Sequence, residues 1–427
     1  MSAQGETFLE AADYIAARLC RDAVWAGARC NWLGDSMEFV GGQWTVAHRA
    51  FGADLYSGTS GIALFLAEVF KKTGELLFRE AAEGGARQAL SRLEEMPPQT
   101  RIGFYTGHTG IGYALTRIGE LLGAEEFVDR GLQIVEALAE VEPDEQATDV
   151  LAGSAGAIPA LLHLRKKYGR EPLLELARRH GEFLIGNARK TPTGWSWNTL
   201  NIPAEQRKQD LNGFSHGTAG ISWALLELWK ATGEEKFRVS SEQGFAYERQ
   251  WFDPRQENWP DFRGLYDAWS STSGQPGFMM AWCHGAPGIG LSRVRAHALT
   301  NKEVYRCEAE AALRSTGRML AAPTAPGQAN YSLCHGSAGN AELLVYAARV
   351  FGDDSSRLLA EQVGLFGIEQ YRKTFSPWPC GVLQGGETPG LLLGLAGIGH
   401  FYLRLHDPAG VPSVLIILPD EEVDSRQ

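Results

Sequence analysis

The stretch GTSGIALFLAEVFKKTG, residues 58–74, contains the pattern that decides the fold. It begins with Gly-x-x-Gly, continues with residues that are apolar on nearly every face of a helix, and ends with a glycine. A helix that is apolar all round is a buried helix. A terminal glycine suits the left-handed conformation that ends many helices. The stretch therefore predicts one buried helix bounded by glycines.

The same pattern occurs seven times in the 427-residue chain. Its starts are Gly58, Gly107, Gly153, Gly217, Gly285, Gly336 and Gly394. Its predicted stops are Gly74, Gly123, Gly169, Gly233, Asn301, Gly352 and Gly410. Between successive repeats lies an amphipathic helical pattern, of which the first has the apolar stripe Phe78, Ala82, Ala86, Ala89 and Leu93. Each unit is thus predicted to be a half-exposed outer helix followed by a buried inner helix.

Seven such units require closure, because one helix pair cannot bury its inner helix alone. An open solenoid, the alternative, leaves one side of every inner helix in water. We therefore predict an all-α fold, an α/α toroid (barrel) of seven helical hairpins with seven inner and seven outer helices. We expect a single domain over residues 1–427, with a repeat core at about 45–410 and an N-terminal helical lead-in at 1–45.

The composition argues against several classes of protein. The net charge of −11 and the lack of a basic, aromatic-rich patch argue against nucleic-acid binding. No run of 18 apolar residues predicts a membrane span, and the first residues lack a signal-peptide pattern. The six cysteines do not form a disulfide framework, so we expect a cytoplasmic protein with reduced thiols. Four of them are interpreted as structural: Cys20, Cys30, Cys307 and Cys380.

The most unusual residues stand directly before the Gly-x-x-Gly starts. In a ring, all inner helices run the same way, so their N-termini meet at one mouth, where the helix dipoles favour anions. The residues at these positions include Ser215-His216, Cys283-His284 and Cys334-His335, with Asp149 before the third start. Polar stretches at 187–212, 253–275 and 376–389 also precede starts, and are either surface loops or a lid for a large substrate.

Two cysteines and one or two histidines at one mouth predict a metal site, and thiolate with imidazole suits zinc. Cys283 and Cys334 are 51 positions apart and no Cys-x-x-Cys occurs, so this prediction depends on the ring and not on local spacing. Two alternatives stay open. In the first, the cysteines are inert core residues and the histidines cap turns. In the second, a closed Cys2His2 structural site also uses His284.

The chain resembles the lanthionine synthetase C-like (LanC-like) cyclase family. The resemblance rests on the seven Gly-x-x-Gly starts and on four segments: GFSHGTAG (213–220), WCHGAPGIG (282–290), LCHGSAGN (333–340) and GGETPGLLLGLAGIGHFYLRL (385–405). It covers nearly the whole chain and is strongest to the cyclase half of class II lanthipeptide synthetases. It implies a seven-fold toroid with zinc at its mouth.

The resemblance also implies roles for individual residues. Cys283, Cys334 and His335 would bind zinc and leave one position open for a substrate thiol. His216 would act as acid and base, oriented by Asp149, for which helix capping is the alternative. The family varies at the position of His284, which we keep as a candidate proton donor.

The implied reaction adds cysteine thiolates of a dehydrated precursor peptide to its dehydroalanine or dehydrobutyrine residues, forming (methyl)lanthionine rings. We expect a separate dehydratase as partner and no nucleotide cofactor, since no Walker or dinucleotide-binding pattern occurs. One alternative is zinc-dependent addition of glutathione or another small thiol to dehydroamino acids. Others are a non-catalytic peptide-binding scaffold and a glycoside hydrolase, which needs two carboxylates across the mouth.

Overall fold

The computed structural model describes residues 3–40, 43–203, 205–266, 276–322 and 329–420. Within these ranges, fourteen α-helices form an inner and an outer layer. The inner helices are α2 (Thr59–Thr73), α4 (His108–Leu122), α6 (Ser154–Tyr168), α8 (Thr218–Thr232), α10 (Ala286–Thr300), α12 (Ser337–Phe351) and α14 (Leu395–His406). The outer helices are α1 (Ala3–Arg21), α3 (Leu76–Ser91), α5 (Glu125–Glu136), α7 (Pro172–Gly186), α9 (Glu235–Arg249), α11 (Glu303–Ala321) and α13 (Asp354–Gly367).

The inner helices close into a ring, because each packs against the next and α14 packs against α2. The predicted α/α toroid is therefore confirmed, and the open solenoid is excluded. The predicted order within a unit is wrong. Outer helices pack most closely on the inner helix that precedes them, and α1 packs on α14, so the N-terminal helix completes the last unit.

The predicted helix ends agree with the structure in six of the seven inner helices. The residue at each of these ends has a positive φ between 54° and 74°: Gly74, Gly123, Gly169, Gly233, Asn301 and Gly352. The seventh prediction, Gly410, is wrong, since α14 ends at His406 with Asp407 as its cap. Pro408 follows that cap and cannot continue a helix.

The predicted helical lead-in at 1–45 is only partly helical, and this is a third correction. After α1 the chain forms two antiparallel hairpins, and a third lies in the first polar stretch. They are β1 (Val24–Ala26) with β2 (Arg29–Asn31), β3 (Leu33–Val40) with β4 (Gln43–Ala50), and β5 (Arg189–Thr191) with β6 (Gly194–Ser196). Branched residues such as Thr45 and Val46 favour strands over helix. Among the described residues, no helix combines the length and the apolar character needed to cross a membrane.

A closed ring of backbone hydrogen bonds joins the segments that precede the seven inner helices. Each residue in this ring donates its N–H to the carbonyl oxygen of the next, over N···O distances of 2.8–3.3 Å. The ring runs through Tyr56, Tyr105, Leu151, Ser215, Cys283, Cys334 and Leu392, and returns to Tyr56. Mouth residues of successive units are therefore direct neighbours, however far apart they are in sequence.

The second glycine of each Gly-x-x-Gly is required by the turn into the inner helix. There the chain folds back over its own path, so that a carbonyl six residues earlier lies against the glycine. A Cβ at Gly288 would lie 1.9 Å from the carbonyl oxygen of Trp282, and one at Gly339 would lie 1.7 Å from that of Leu333. Distances of this kind leave no space for any side chain.

Residues 407–420, which we call the lumen segment, pass through the centre of the ring, where residues 411 and 413–418 are buried. Seven helices packed about 9 Å apart lie on a circle of about 10 Å radius, which leaves an opening about 10 Å wide. Apolar side chains of the lumen segment occupy this space and are at most 3% exposed: Val411, Val414, Leu415, Ile416 and Ile417. The sequence analysis assigned no role to these residues.

Gly397→Ala is expected to destabilise the toroid, because its new Cβ would lie 1.8 Å from the Leu391 carbonyl oxygen. We expect a loss of about 2–4 kcal/mol in the free energy of unfolding, measured with denaturant. Gly317→Ala in α11 is the matched control, since the nearest atom to its Cβ is Leu359 Cδ2 at 3.4 Å. Alanine there should raise the stability by about 1 kcal/mol. Equal stability of the two variants would contradict this account of the repeat.

Candidate active site

The segments before α10 and α12 bring two cysteines and a histidine together at the mouth. The ligand atoms of Cys283, Cys334 and His335 all lie within 4.8 Å of one another. The two cysteines are 7% and 6% exposed, whereas His335 is half-buried. Such separations suit one ion held at about 2.0–2.3 Å by nitrogen and sulfur. These three residues are therefore able to bind a metal.

The two sulfur atoms are hydrogen-bonded to each other. This hydrogen bond, together with burial, raises the pKa of Cys283 well above its ordinary value. The same hydrogen bond lowers the pKa of Cys334, as does a further one from the Tyr56 hydroxyl. Cys334 is thus the more acidic thiol of the pair, and Tyr56 supports its negative charge.

The ring of His335 is held in an orientation that suits a metal ligand. Its Nε2 donates a hydrogen bond to the carbonyl oxygen of Gly381 at 3.0 Å, which leaves Nδ1 as the free donor atom. Histidines that bind metals usually donate their other N–H to a carbonyl or a carboxylate in this way. Gly381 is fixed in turn, because its N–H donates to the Leu393 carbonyl oxygen at 2.7 Å.

The Gly381 carbonyl belongs to the third polar stretch, and the N-terminal part of the chain anchors this loop. Arg18 of α1 binds the Glu387 carboxylate with two guanidinium nitrogens, one of them at 3.0 Å. Glu387 also accepts the backbone N–H of Trp378 at 2.7 Å. Asp35 of β3 accepts the N–H of Gly386 at 2.7 Å. The stretch is therefore a support for His335 as well as a surface loop.

His216 and Asp149 form a hydrogen-bonded pair at the same mouth. Asp149 Oδ2 lies 2.6 Å from His216 Nδ1, and its Oδ1 accepts the N–H of Ala152 at 2.8 Å. Asp149 therefore both orients the imidazole and holds the turn before α6. Burial lowers the pKa of His216, but the hydrogen bond and the charge of Asp149 outweigh it, so that the pKa is raised.

His284 lies beside His216 but outside the three-residue cluster. The two imidazole rings stack with their centroids 5.7 Å apart. Burial, and then the positive charge of Arg263, lower the pKa of His284 to about 3, so its ring is neutral at pH 7. Its nitrogens are not among the clustered donor atoms, so the closed Cys2His2 alternative finds no support.

No sequence motif marks Arg263, which belongs to the second polar stretch. Its Nε lies 3.1 Å from both carboxylate oxygens of Asp261, and its Nη2 lies 2.6 Å from Oδ2. Burial lowers the pKa of Arg263, but the hydrogen bond and charge of Asp261, followed by the nearby sulfurs of Cys283 and Cys334, raise it. A cation therefore lies close to the thiol pair. Its place depends on the path of a loop, for which the sequence holds no local signal.

Two further polar contacts at the mouth come from the first and second stretches. The Thr199 hydroxyl donates to the His216 carbonyl oxygen. Asn258 Oδ1 accepts the N–H of Ala286 at 2.7 Å and so caps α10. Residues 267–275, the end of the second predicted lid or loop, lie outside the described residues.

The remaining four cysteines lie away from this cluster, and all are free thiols. Burial raises the pKa of Cys20, Cys30 and Cys380 to about 12, which makes them unreactive. The Cys30 thiol donates to the Ala81 carbonyl oxygen at 3.4 Å. Cys307 is exposed on α11. These positions agree with structural and surface roles.

Comparisons with known proteins agree with this arrangement. Residues 50–416 match the family model described as lanthionine synthetase C-like protein. The chain is 24% identical over 374 residues to the lacticin 481/lactococcin biosynthesis protein LcnDR2 of Lactococcus lactis subsp. lactis. That match covers 82% of this chain and 36% of the relative, so the chain spans about a third of the relative's length.

One solved structure shows the same fold, and a second has a weaker similarity that carries no argument. Nisin cyclase superposes with a TM-score of 0.59 at 20% identity, over 84% of this chain and 89% of that one. An α-1,6-mannanase of Salegentibacter aligns with a TM-score of 0.47 at 13% identity, over 94% of this chain and 99% of that one. The second similarity is too low to bear on function.

Replacing Cys283, Cys334 or His335 by alanine is expected to abolish binding of one zinc ion, because two donors hold zinc far more weakly than three. Metal analysis of the purified variants measures this loss. His284→Ala and the matched control Cys30→Ala should keep the ion, since neither side chain belongs to the cluster. Zinc retained at parental stoichiometry by any of the first three variants would contradict the proposed ligand set.

Asp149→Asn is expected to lower the pKa of His216, because burial then acts without the opposing charge. The imidazole would lose its proton at a lower pH than in the parent protein, as measured by NMR titration of the ring. Asp144→Asn removes a carboxylate from the same connecting segment and should leave the titration unchanged. An unaltered midpoint in Asp149→Asn would show that the pair is not coupled.

Proposed function

This chain belongs to the lanthionine synthetase C-like family, and we propose that it is a zinc-dependent lanthipeptide cyclase. It would add peptide cysteine thiolates to dehydroalanine or dehydrobutyrine and form (methyl)lanthionine thioether rings. One observation carries the proposal: three donor atoms within 4.8 Å share a mouth with a histidine–aspartate pair. The first set suits thiol activation, and the second suits proton transfer.

The donor set Cys283, Cys334 and His335 fits zinc in chemistry and in number. Two sulfurs and one imidazole nitrogen are ligands that zinc prefers, and three protein ligands are typical of catalytic rather than structural sites. Bound there, zinc would supply the means to keep a substrate thiol deprotonated at neutral pH, where a free cysteine is mostly protonated.

His216 is the residue that we assign to proton transfer. Its side chain is partly exposed at the mouth, and Asp149 holds its Nδ1, which leaves Nε2 for a substrate. A histidine whose pKa is raised by a hydrogen-bonded carboxylate is well suited both to accept a thiol proton and to return one to the acceptor Cα. Returning that proton to one face sets the stereochemistry of the ring.

We assign to Arg263 the role of binding the carbonyl oxygen of the dehydro residue that accepts the thiolate. Attack of the thiolate on the dehydro residue moves negative charge onto the carbonyl oxygen of that residue. A guanidinium fixed in advance by Asp261 stabilises such a charge without reorganising. His284 is neutral at pH 7, so we withdraw it as proton donor and assign it to packing against His216.

The proposed substrate is a precursor peptide in which serine and threonine residues are already dehydrated. A dehydratase must therefore act first, and we propose that it is a separate partner. We place the reaction in the cytoplasm, where thiols stay reduced. Polar stretches that contact the mouth, such as those with Thr199 and Arg263, offer hydrogen-bonding groups to a peptide.

The direct test incubates the zinc-loaded protein with dehydrated, cysteine-containing precursor peptides and counts the free thiols by alkylation and mass spectrometry. Each ring removes one thiol at unchanged peptide mass. Adducts formed only with added glutathione would instead support small-thiol addition. Binding of the peptide without loss of thiols would support the scaffold. His216→Ala should keep zinc but lose ring closure by about 100-fold or more.

Arg263→Gln is expected to slow cyclisation by about 100- to 1000-fold, because one preorganised donor to the developing oxyanion is lost. Zinc content should stay the same, since the guanidinium is not a ligand. Arg255→Gln, at an 88% exposed side chain of the same stretch, is the matched control and should react like the parent. A single-turnover rate of Arg263→Gln equal to that of the control would refute the assignment.

A further inference from the structure

The lumen segment enters and leaves the ring on the side opposite the mouth. Arg404 Nη1 donates to the carbonyl oxygens of Pro408 and Val411, both at 2.6 Å. Further along, the Asp420 carboxylate pairs with Arg295. Both arginines are the tenth residues of their inner helices, about 14 Å below the helix starts at 1.5 Å per residue. The two ends of the segment are therefore fixed near the end of the ring that lies opposite the mouth.

Between these contacts the segment rises to the level of the active site. The carbonyl oxygen of Val414 accepts a hydrogen bond from the Tyr105 hydroxyl at 2.7 Å. The carbonyl oxygen of Leu415 accepts one from Trp282 Nε1 at 3.0 Å. Both donors belong to the short segments before Gly-x-x-Gly starts. The lumen segment is thus a re-entrant loop whose apex lies directly beneath the mouth.

The two anchored aromatic rings form a floor under the thiol pair. Trp282 and Tyr105 are fully buried, and their rings meet edge to face with centroids 5.2 Å apart. Phe214 packs against Trp282 with a centroid distance of 5.8 Å. Burial, followed by the nearby Cys334 sulfur, raises the pKa of Tyr105. The floor therefore reaches both cysteines, since Trp282 is also the chain neighbour of Cys283.

We propose that the lumen segment positions the metal-binding cysteines, with Trp282 as the positioning residue. The Leu415 carbonyl oxygen fixes the indole and so restrains the backbone at Trp282, and Cys283 follows directly across a planar peptide bond. Without the carbonyl, the indole N–H would be buried without a partner, which proteins avoid. The inference rests on the ligand set of the proposed function but not on the cyclisation reaction itself.

Trp282→Phe tests the proposal, because it removes the N–H and keeps an aromatic ring on the floor. The matched control is Trp32→Phe, at a buried tryptophan whose Nε1 donates to the Leu19 carbonyl oxygen at 2.8 Å. Trp32 is far along the chain from Cys283 and Cys334. Both variants lose one buried hydrogen bond of the same kind. Zinc affinity is measured by competition with a chromophoric chelator.

We expect Trp282→Phe to bind zinc about 10- to 100-fold more weakly than Trp32→Phe, as for other residues that support metal ligands. A loss no larger than that of the control would overturn the proposal. A second measurement needs no metal. In protein stripped of metal with a chelator, the alkylation rate of Cys283 should rise several-fold in Trp282→Phe and stay unchanged in Trp32→Phe. Equal alkylation rates in the two variants would also overturn it.

Tyr105→Phe gives an independent check at the second anchor point. It removes the hydroxyl that binds Val414, and its matched control is Tyr402→Phe, at a buried tyrosine whose hydroxyl donates to the Gly364 carbonyl oxygen at 2.9 Å. Combined with Trp282→Phe, it should weaken zinc binding further than either change alone. The doubly substituted control carries Trp32→Phe and Tyr402→Phe. If the double variant binds zinc as tightly as this control, the segment does not have a positioning role.

Discussion

The closed ring of backbone hydrogen bonds around the mouth is the constraint on which the rest of the structure depends. It joins residues from all seven units, and in it the N–H of Cys283 donates to the carbonyl oxygen of Cys334 at 3.3 Å. The second glycines let each segment fold back closely enough to take part. Because the ring is closed, side chains that stand before different helices are held at a fixed spacing. The cluster of Cys283, Cys334 and His335 is a consequence of that spacing.

The chemistry of the site follows from how charge is arranged above this ring. Cys334 is the more acidic of the two buried thiols, and the pKa of Arg263, a guanidinium paired with Asp261, responds to both sulfurs. Two opposing effects act on the pKa of His216: Asp149 raises it and burial lowers it, and the net result is a rise. In the proposed mechanism, the cluster that would activate the substrate thiol, the proton carrier and the fixed cation are thus separate groups around one opening. Such a division of roles suits an addition that creates and then discharges an oxyanion.

Features that depend on local sequence were predictable, and features that depend on distant contacts were not. Apolar runs between glycines specify the inner helices, and repeat equivalence places Cys283 beside Cys334. The partner of α14 could not be predicted, because it is α1, almost 400 residues away. The lumen segment has no periodicity that indicates a helix or a strand, and only the size of the closed ring explains why it is buried. Arg263 likewise gains its place from the path of a loop.

The most direct test of the central claim is X-ray absorption at the zinc edge, recorded with and without a thiol-containing peptide. We predict two sulfur ligands and one imidazole nitrogen from the protein, and a third sulfur when the peptide is added. The account would be contradicted by four protein ligands that stay unchanged when the peptide binds. It would be contradicted equally by a coordination shell with fewer than two sulfurs.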